Sequence, residues 1–319
     1  MGETRSSWTR PAAPVLLLVL ILGLVAARPA PVEAQDELSE VCDAASARSE
    51  CYLAAGAVRL IHPRVGLGLF GGSPVPGTAS TLGMRLGELP RFSVSGRLVV
   101  LPIEVPPLVD RGRARGDGGV VAGISGQTTV GILTGFSPLP TVGGVLSLDA
   151  IGRVSLLALP GDDFEDDGVL GLSAGLRLGL LRESFTLPGV SLTASYGRSG
   201  SVAVGGIGDD GYIEGSVANW NATAAATKRT GPVGVTGGVS FDRYTGTVDY
   251  AYPGAAGPAT ADATTDRWSA FGNVSWTFLI FHAVLEAGWQ QSPVPENLPT
   301  DVTVDPAGWW GGVAFRVSI

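Results

Sequence analysis

The sequence predicts an all-β fold: antiparallel strands, about twelve of them within a range of about 10–14, closed into a transmembrane barrel with a short N-terminal plug or latch. Three observations carry this. Side chains alternate between apolar and small or polar along most of the chain. The connections between the alternating runs are long and short by turns. A secretory leader is followed by no second run apolar enough for a membrane helix.

The leader is residues 1–34. Arg5 and Arg10 precede the apolar residues 15–27, and Val32, Glu33 and Ala34 offer a cleavage site before Gln35. A retained signal anchor is the alternative. No later run approaches the ~18 apolar residues of a spanning helix, so the exported chain is either soluble or a membrane barrel. Only 16% of its 319 residues are charged, against about a quarter in soluble domains. The net charge of −8 argues against nucleic acid as a partner.

The alternation is clearest in residues 169–184, where Leu170, Leu172, Ala174, Leu176, Leu178 and Leu180 are separated by Gly171, Ser173, Gly175, Arg177 and Gly179. Successive side chains of a strand point to opposite faces, so one face is wholly apolar and the other small and polar. A helix would scatter the same leucines around its circumference. The pattern recurs in Phe92, Val94, Leu98 and Val100 against Ser93, Ser95 and Arg97, and again in Trp268, Ala270, Val274, Trp276 and Phe278 against Ser269, Asn273, Ser275 and Thr277. It places strands at about residues 64–70, 80–87, 91–101, 120–135, 144–158, 168–181, 189–196, 212–228, 232–251, 266–279, 282–291 and 308–319.

The odd-numbered connections are long and rich in Gly, Pro or Asp, and the even ones are shorter. A soluble sandwich has no reason to sort its loops by parity, whereas an outer-membrane barrel has short periplasmic turns and longer external loops. Tyr196, Trp220, Phe241, Tyr250, Tyr252, Trp268, Trp276, Phe278, Trp289 and Trp309 mostly fall near strand ends on the apolar parity, as interfacial girdles do. On these features about residues 64–319 resemble the bacterial outer-membrane β-barrel class, with the barrel itself taken as residues 63–319. The resemblance implies the outer membrane of a diderm bacterium as location, with its lipids and the barrel assembly machinery as partners. Members of the class usually end on an aromatic residue. Here the last strand alternates and carries Phe315, but ends on Ile319.

Residues 35–62 lack strand alternation and hold both cysteines, Cys42 and Cys51. In an exported chain two close cysteines are expected to join. A continuous helix would hold them about 13 Å apart, so the bond requires a turn between them. Two free thiols are the alternative, and with no histidine nearby a zinc site is disfavoured.

If the leucines face lipid, Arg177 faces inward, since an arginine at mid-depth on the lipid face costs about 2–4 kcal/mol. The same parity puts Arg64, Arg85, Arg97, Asp149, Arg153, Arg177, Asn273, His282, Glu286 and Arg316 inside. Closure makes the last strand neighbour the first, so Arg64, Arg85, Arg97, Arg153, Arg177 and Arg316 form one basic wall. Such a wall either attracts anions in a wet pore or is neutralised by carboxylates of the N-terminal segment: Asp36, Glu37, Glu40, Asp43 and Glu50. The second reading is preferred for at least part of the wall.

Enzymatic chemistry has little support, because a nucleophilic serine needs a positioned histidine and only His62 and His282 exist. The acidic run Asp162, Asp163, Glu165, Asp166, Asp167 lacks the spacing of a calcium loop and reads as solvated. No cofactor is implied. The sequence thus points to a passive channel or transporter for small solutes. The alternatives are a closed structural or surface-interaction barrel with external loops as its binding surface, and a transporter for hydrophobic compounds.

Overall fold

A computed structural model describes residues 37–45, 47–72, 91–105, 117–137, 145–159, 164–165, 167–185, 187–205, 211–252, 258–291 and 308–318. Among these residues two helices precede ten strands: α1 (Glu37–Ala44), α2 (Arg48–Phe70), β1 (Arg91–Val105), β2 (Asp117–Leu133), β3 (Ser147–Ala158), β4 (Gly168–Leu181), β5 (Gly189–Val204), β6 (Tyr212–Thr230), β7 (Val233–Ala251), β8 (Ala259–Phe278), β9 (Phe281–Gln290) and β10 (Trp309–Ser318). Each strand pairs antiparallel with the next, and β1 pairs with β10, from Ser93 opposite Ser318 to Val100 opposite Gly311. The sheet therefore closes.

The expectation of about twelve strands is corrected to ten. Residues 64–70, read as a first strand from the alternation of Val65, Leu67 and Leu69 with Gly66 and Gly68, are the last turns of α2. The strand expected at residues 80–87, with Arg85, lies outside the described residues. The barrel expected to begin at residue 63 follows a helix that continues to Phe70. The misreading has a physical cause. Almost every side chain from Cys51 to Phe70 is buried, whichever way it points. A helix enclosed on all sides needs no polar stripe, so the 3.6-residue period that betrays a surface helix is missing.

Outward positions are apolar, among them Val94, Leu98, Ile124, Leu156, Leu172, Leu176, Val274, Leu285 and Val313, all exposed. Two aromatic belts bound this surface. One holds Tyr196 against Trp220 at 4.8 Å and Phe241 against Trp268 at 5.2 Å, with Trp289 and Trp309 beside them. The other holds Trp276, Phe278 and the pair Phe281 and Phe315, 5.6 Å apart. From Trp268 to Phe278 along β8 a strand tilted ~40° rises about 26 Å, which matches the ~25 Å apolar band of a transmembrane barrel. Tyr250 is not part of a belt; it is buried inside and stacks on Tyr252. Among the described residues no helix is long and apolar enough to cross a membrane.

Two even-numbered connections are two-residue turns, Gly231-Pro232 and Leu279-Ile280. Gly231 takes φ 61°, the first central position at which a II′ hairpin turn favours glycine. The expected contrast in loop length is narrower than the sequence suggests: residues 182–188 and 205–211 are connections of equal length. The cause is that β5 to β8 continue beyond the outer belt, so part of each long loop is strand. Their outward faces there are polar, with Arg243 paired to Asp266, Thr247 to Asp262 and Ser201 to Glu214.

Helix α2, about 35 Å long, runs through the interior and packs against β1 to β8. Its first turns, α1 and the Cys42–Cys51 disulfide (Cα–Cα 5.3 Å) form one buried cluster with Tyr250, Ala261 and Ala263, at the long-loop end. The turn that this bond requires is the break between α1 and α2. Inward positions at that end are apolar, including Leu101, Ile103, Val121, Leu157, Val204, Ile213, Val217 and Val248, and clamp the helix. The sequence predicts a polar interior. The inner face is instead divided, because the half that holds a helix must be dry and apolar.

Candidate functional site

The polar half of the interior lies towards the short-turn end, where α2 stops. A helix ends with carbonyls that have no partner within it, and β3 supplies theirs. Arg153 Nη1 donates to Phe70 O at 2.6 Å and Gly71 O at 3.0 Å, while Ser155 Oγ donates to Leu69 O at 2.7 Å. Arg153 is itself held by Gln127 Oε1, which accepts from Nη2 at 2.8 Å and Nε at 3.2 Å. A cation at a helix C-terminus also opposes the negative end of the helix dipole.

The other inward arginines have partners on the strands. Arg177 Nε donates to Asp149 Oδ2 at 2.7 Å, between residues directly opposite in the β3–β4 register. Arg97 Nε donates to Glu286. Arg316 Nη2 lies 3.1 Å from His282 Nε2, and His282 Nδ1 lies 2.9 Å from Thr277 Oγ1. Arginine has no acceptor, so Nε2 accepts and Nδ1 carries the proton towards Thr277. Asn273, opposite Glu286 in the β8–β9 register, is buried on the same wall. Arg64 is buried too, but on α2 and not on a strand.

The carboxylates expected to neutralise this wall are elsewhere. Glu40 and Asp43 are exposed on α1, and Asp43 accepts from Tyr52 at 2.8 Å. Glu50 opens α2 and accepts from Ser49 at 2.6 Å. The helix separates Glu50 from Phe70 by about 30 Å, so its N-terminal carboxylates are at the opposite end from Arg153. Glu37 begins α1, and Asp36 lies outside the described residues.

Sequence reasoning missed a second polar cluster. Asp242 on β7 accepts from Asn221 at 2.8 Å and Asn219 at 3.2 Å, with Ser240 and Ser269 each at 3.4 Å. Arg267 on β8 donates to Arg59 O of α2 at 3.1 Å. The inward parity of Asp242 was readable, but nothing local in the sequence marks four donors from three strands. The interior thus has a basic arc on β10, β1, β3 and β4, and on β6 to β8 an acid held by amides and hydroxyls.

A closed antiparallel barrel with an apolar band between two aromatic belts and charged groups inside defines the class: a membrane-spanning β-barrel of bacterial outer-membrane type. No protein-family model matches the chain, and no curated protein matches it. Among solved structures, the chain is similar to the translocator domain of the autotransporter NalP from Neisseria meningitidis, at 13% identity over 73% of this chain and 90% of that one, with a TM-score of 0.43. It is also similar to the outer membrane protease OmpT from Escherichia coli, at 12% identity over 72% and 93%, TM-score 0.33. The toluene transporter TbuX of Ralstonia pickettii matches at 12% identity over 82% and 98%, TM-score 0.22. Likenesses this loose carry no residue equivalence and no activity; the class rests on the barrel itself.

Proposed function

We propose that the protein is an outer-membrane barrel of a diderm bacterium sealed by its own N-terminal helix, closed to solutes at rest. The observation that supports this is the fit of α2 to its walls. A Cβ on Gly66 would come 2.2 Å from Tyr244 Cε1, one on Gly68 2.5 Å from Leu157 Cδ1, and one on Gly197 2.6 Å from Phe70 Cδ1. Glycines at these contacts let helix and wall approach to van der Waals distance. The apolar outer surface calls for membrane lipid as its solvent. The last strand, alternating and with Phe315 outward, fits delivery by the barrel assembly machinery.

Conductance in planar bilayers tests the seal. The intact chain is expected to show no steady current, and a chain lacking residues 36–72 but keeping its leader is expected to conduct. Steady, equal conductance from both would overturn the reading. A second reading, transport of a small solute, is supported by the basic arc of Arg97, Arg153, Arg177 and Arg316 inside the barrel. It requires α2 to unseat, and it predicts that the conducting deletion prefers anions.

A further inference from the structure

Just below the end of α2, three buried nitrogens that bear N–H groups lie in one cluster and have no hydrogen-bond acceptor among the described residues: Arg97 Nη1, Arg97 Nη2 and Trp310 Nε1. The Arg97 side chain is 8% exposed, and its guanidinium carbon is 5.5 Å from the centre of the Trp310 ring. Among the described residues only Nε of Arg97 is used, by Glu286. Buried donors are almost always satisfied in folded proteins, so three together mark the place of an acceptor. We propose that Arg97 and Trp310 form a binding site for a small anion of the halide class inside the barrel.

Charge and size argue for this ligand. Arg153 places a second guanidinium close enough to repel that of Arg97, whereas Glu286 supplies one carboxylate. Glycines pack closely against both donor groups, which argues for a small ligand. Gly72, at φ 109°, lies against the guanidinium so closely that a Cβ there would come 2.3 Å from its carbon. A Cβ on Gly288 would come 2.7 Å from Trp310 Nε1. An indole N–H and a guanidinium fork are both donors without acceptor capacity, so the ligand they share must accept only. A halide does so from several directions at once.

Two measurements on the full mature chain, folded in detergent, test the site with bromide and chloride as probes. Crystals soaked in sodium bromide are expected to show an anomalous peak within hydrogen-bond distance of Arg97 Nη and Trp310 Nε1. In solution, chlorine NMR line broadening displaced by bromide is expected to weaken about tenfold in Trp310→Phe, which keeps an aromatic side chain and removes one N–H to a charged ligand. Arg97→Gln is expected to abolish the effect. If that variant fails to fold, Trp310→Phe decides. The absence of a peak in the wild-type crystals, or equal halide affinity in Trp310→Phe, would overturn the proposal. Because the site needs no open pathway, either outcome leaves the sealed-barrel reading to its own conductance test.

Discussion

Burial gives individual side chains in this barrel unequal weight. Asp149 and Arg177 are paired at 2.7 Å with side chains 1% and 3% exposed, and removing one member of such a pair takes a charged contact away from a buried charge. Asp149→Leu is expected to cost about 3–5 kcal/mol in urea unfolding of the detergent-folded protein. Replacing both residues by apolar ones of similar volume should recover much of that loss. Equal stability of the single variant and wild type would show that the pair is solvated after all. Gly66 carries a different load. Alanine or leucine there gains helix propensity worth about 1 kcal/mol, but the fully buried Tyr244 ring, fixed by Gln290 at 2.9 Å, has nowhere to move. Gly66→Leu is therefore expected to lose at least ~2 kcal/mol by overpacking and to raise conductance by unseating the helix. A stable, non-conducting Gly66→Leu protein would contradict the tight fit.

At the scale of elements, α2 is held at both ends by different means. The C-terminal end depends on β3, and Arg153→Leu leaves the Phe70 and Gly71 carbonyls without their donor. Loss of these bonds to a charged group is expected to cost about 1.5–3 kcal/mol, seen as transient openings in bilayer recordings. Wild-type recordings from this variant would mean that the cap is dispensable. The N-terminal end depends on the disulfide to α1, which closes a separation of nine residues. Replacing both cysteines by serine is expected to cost about 2–3 kcal/mol, localised at the outer end. External protease should then cleave near residue 45 while the barrel persists. Loss of the barrel itself would show that the N-terminal helices and the strands fold together.

For the whole molecule, lipid is the solvent of the outer wall and the helix packs against part of the inner one. Leu285 lies midway along β9 between Trp289 and Phe281 and is 65% exposed. Leu285→Arg is expected to lower folding stability in vesicles by about 2–4 kcal/mol, while arginine at Thr264, outside the outer belt, should be neutral within ~0.5 kcal/mol. Similar effects at the two sites would displace the membrane from the band between the belts. The protein should also fractionate with outer membranes, require detergent, and migrate anomalously on gels unless boiled. Recovery as a soluble monomer without detergent would contradict the class.

The outward alternation of β1 to β10 was determined by the sequence alone, because lipid acts on every strand separately and each carries its own record of it. The shortness of alternate connections and the cysteine pair were legible because residues close in the chain set them. Tertiary structure decided what the interior holds. Residues 64–70 become helix because the surrounding walls remove any need for a polar stripe, so no period in the sequence announces them. The direction of that helix puts Glu40, Asp43 and Glu50 at the outer end, away from the arginines they were expected to neutralise. The partner of Arg97 is Glu286, 189 residues away, brought beside it only when β10 closes against β1. Inward parity is a property of one strand, whereas the pairing of inward charges depends on closure, register and what fills the lumen, and these exist only in the folded barrel.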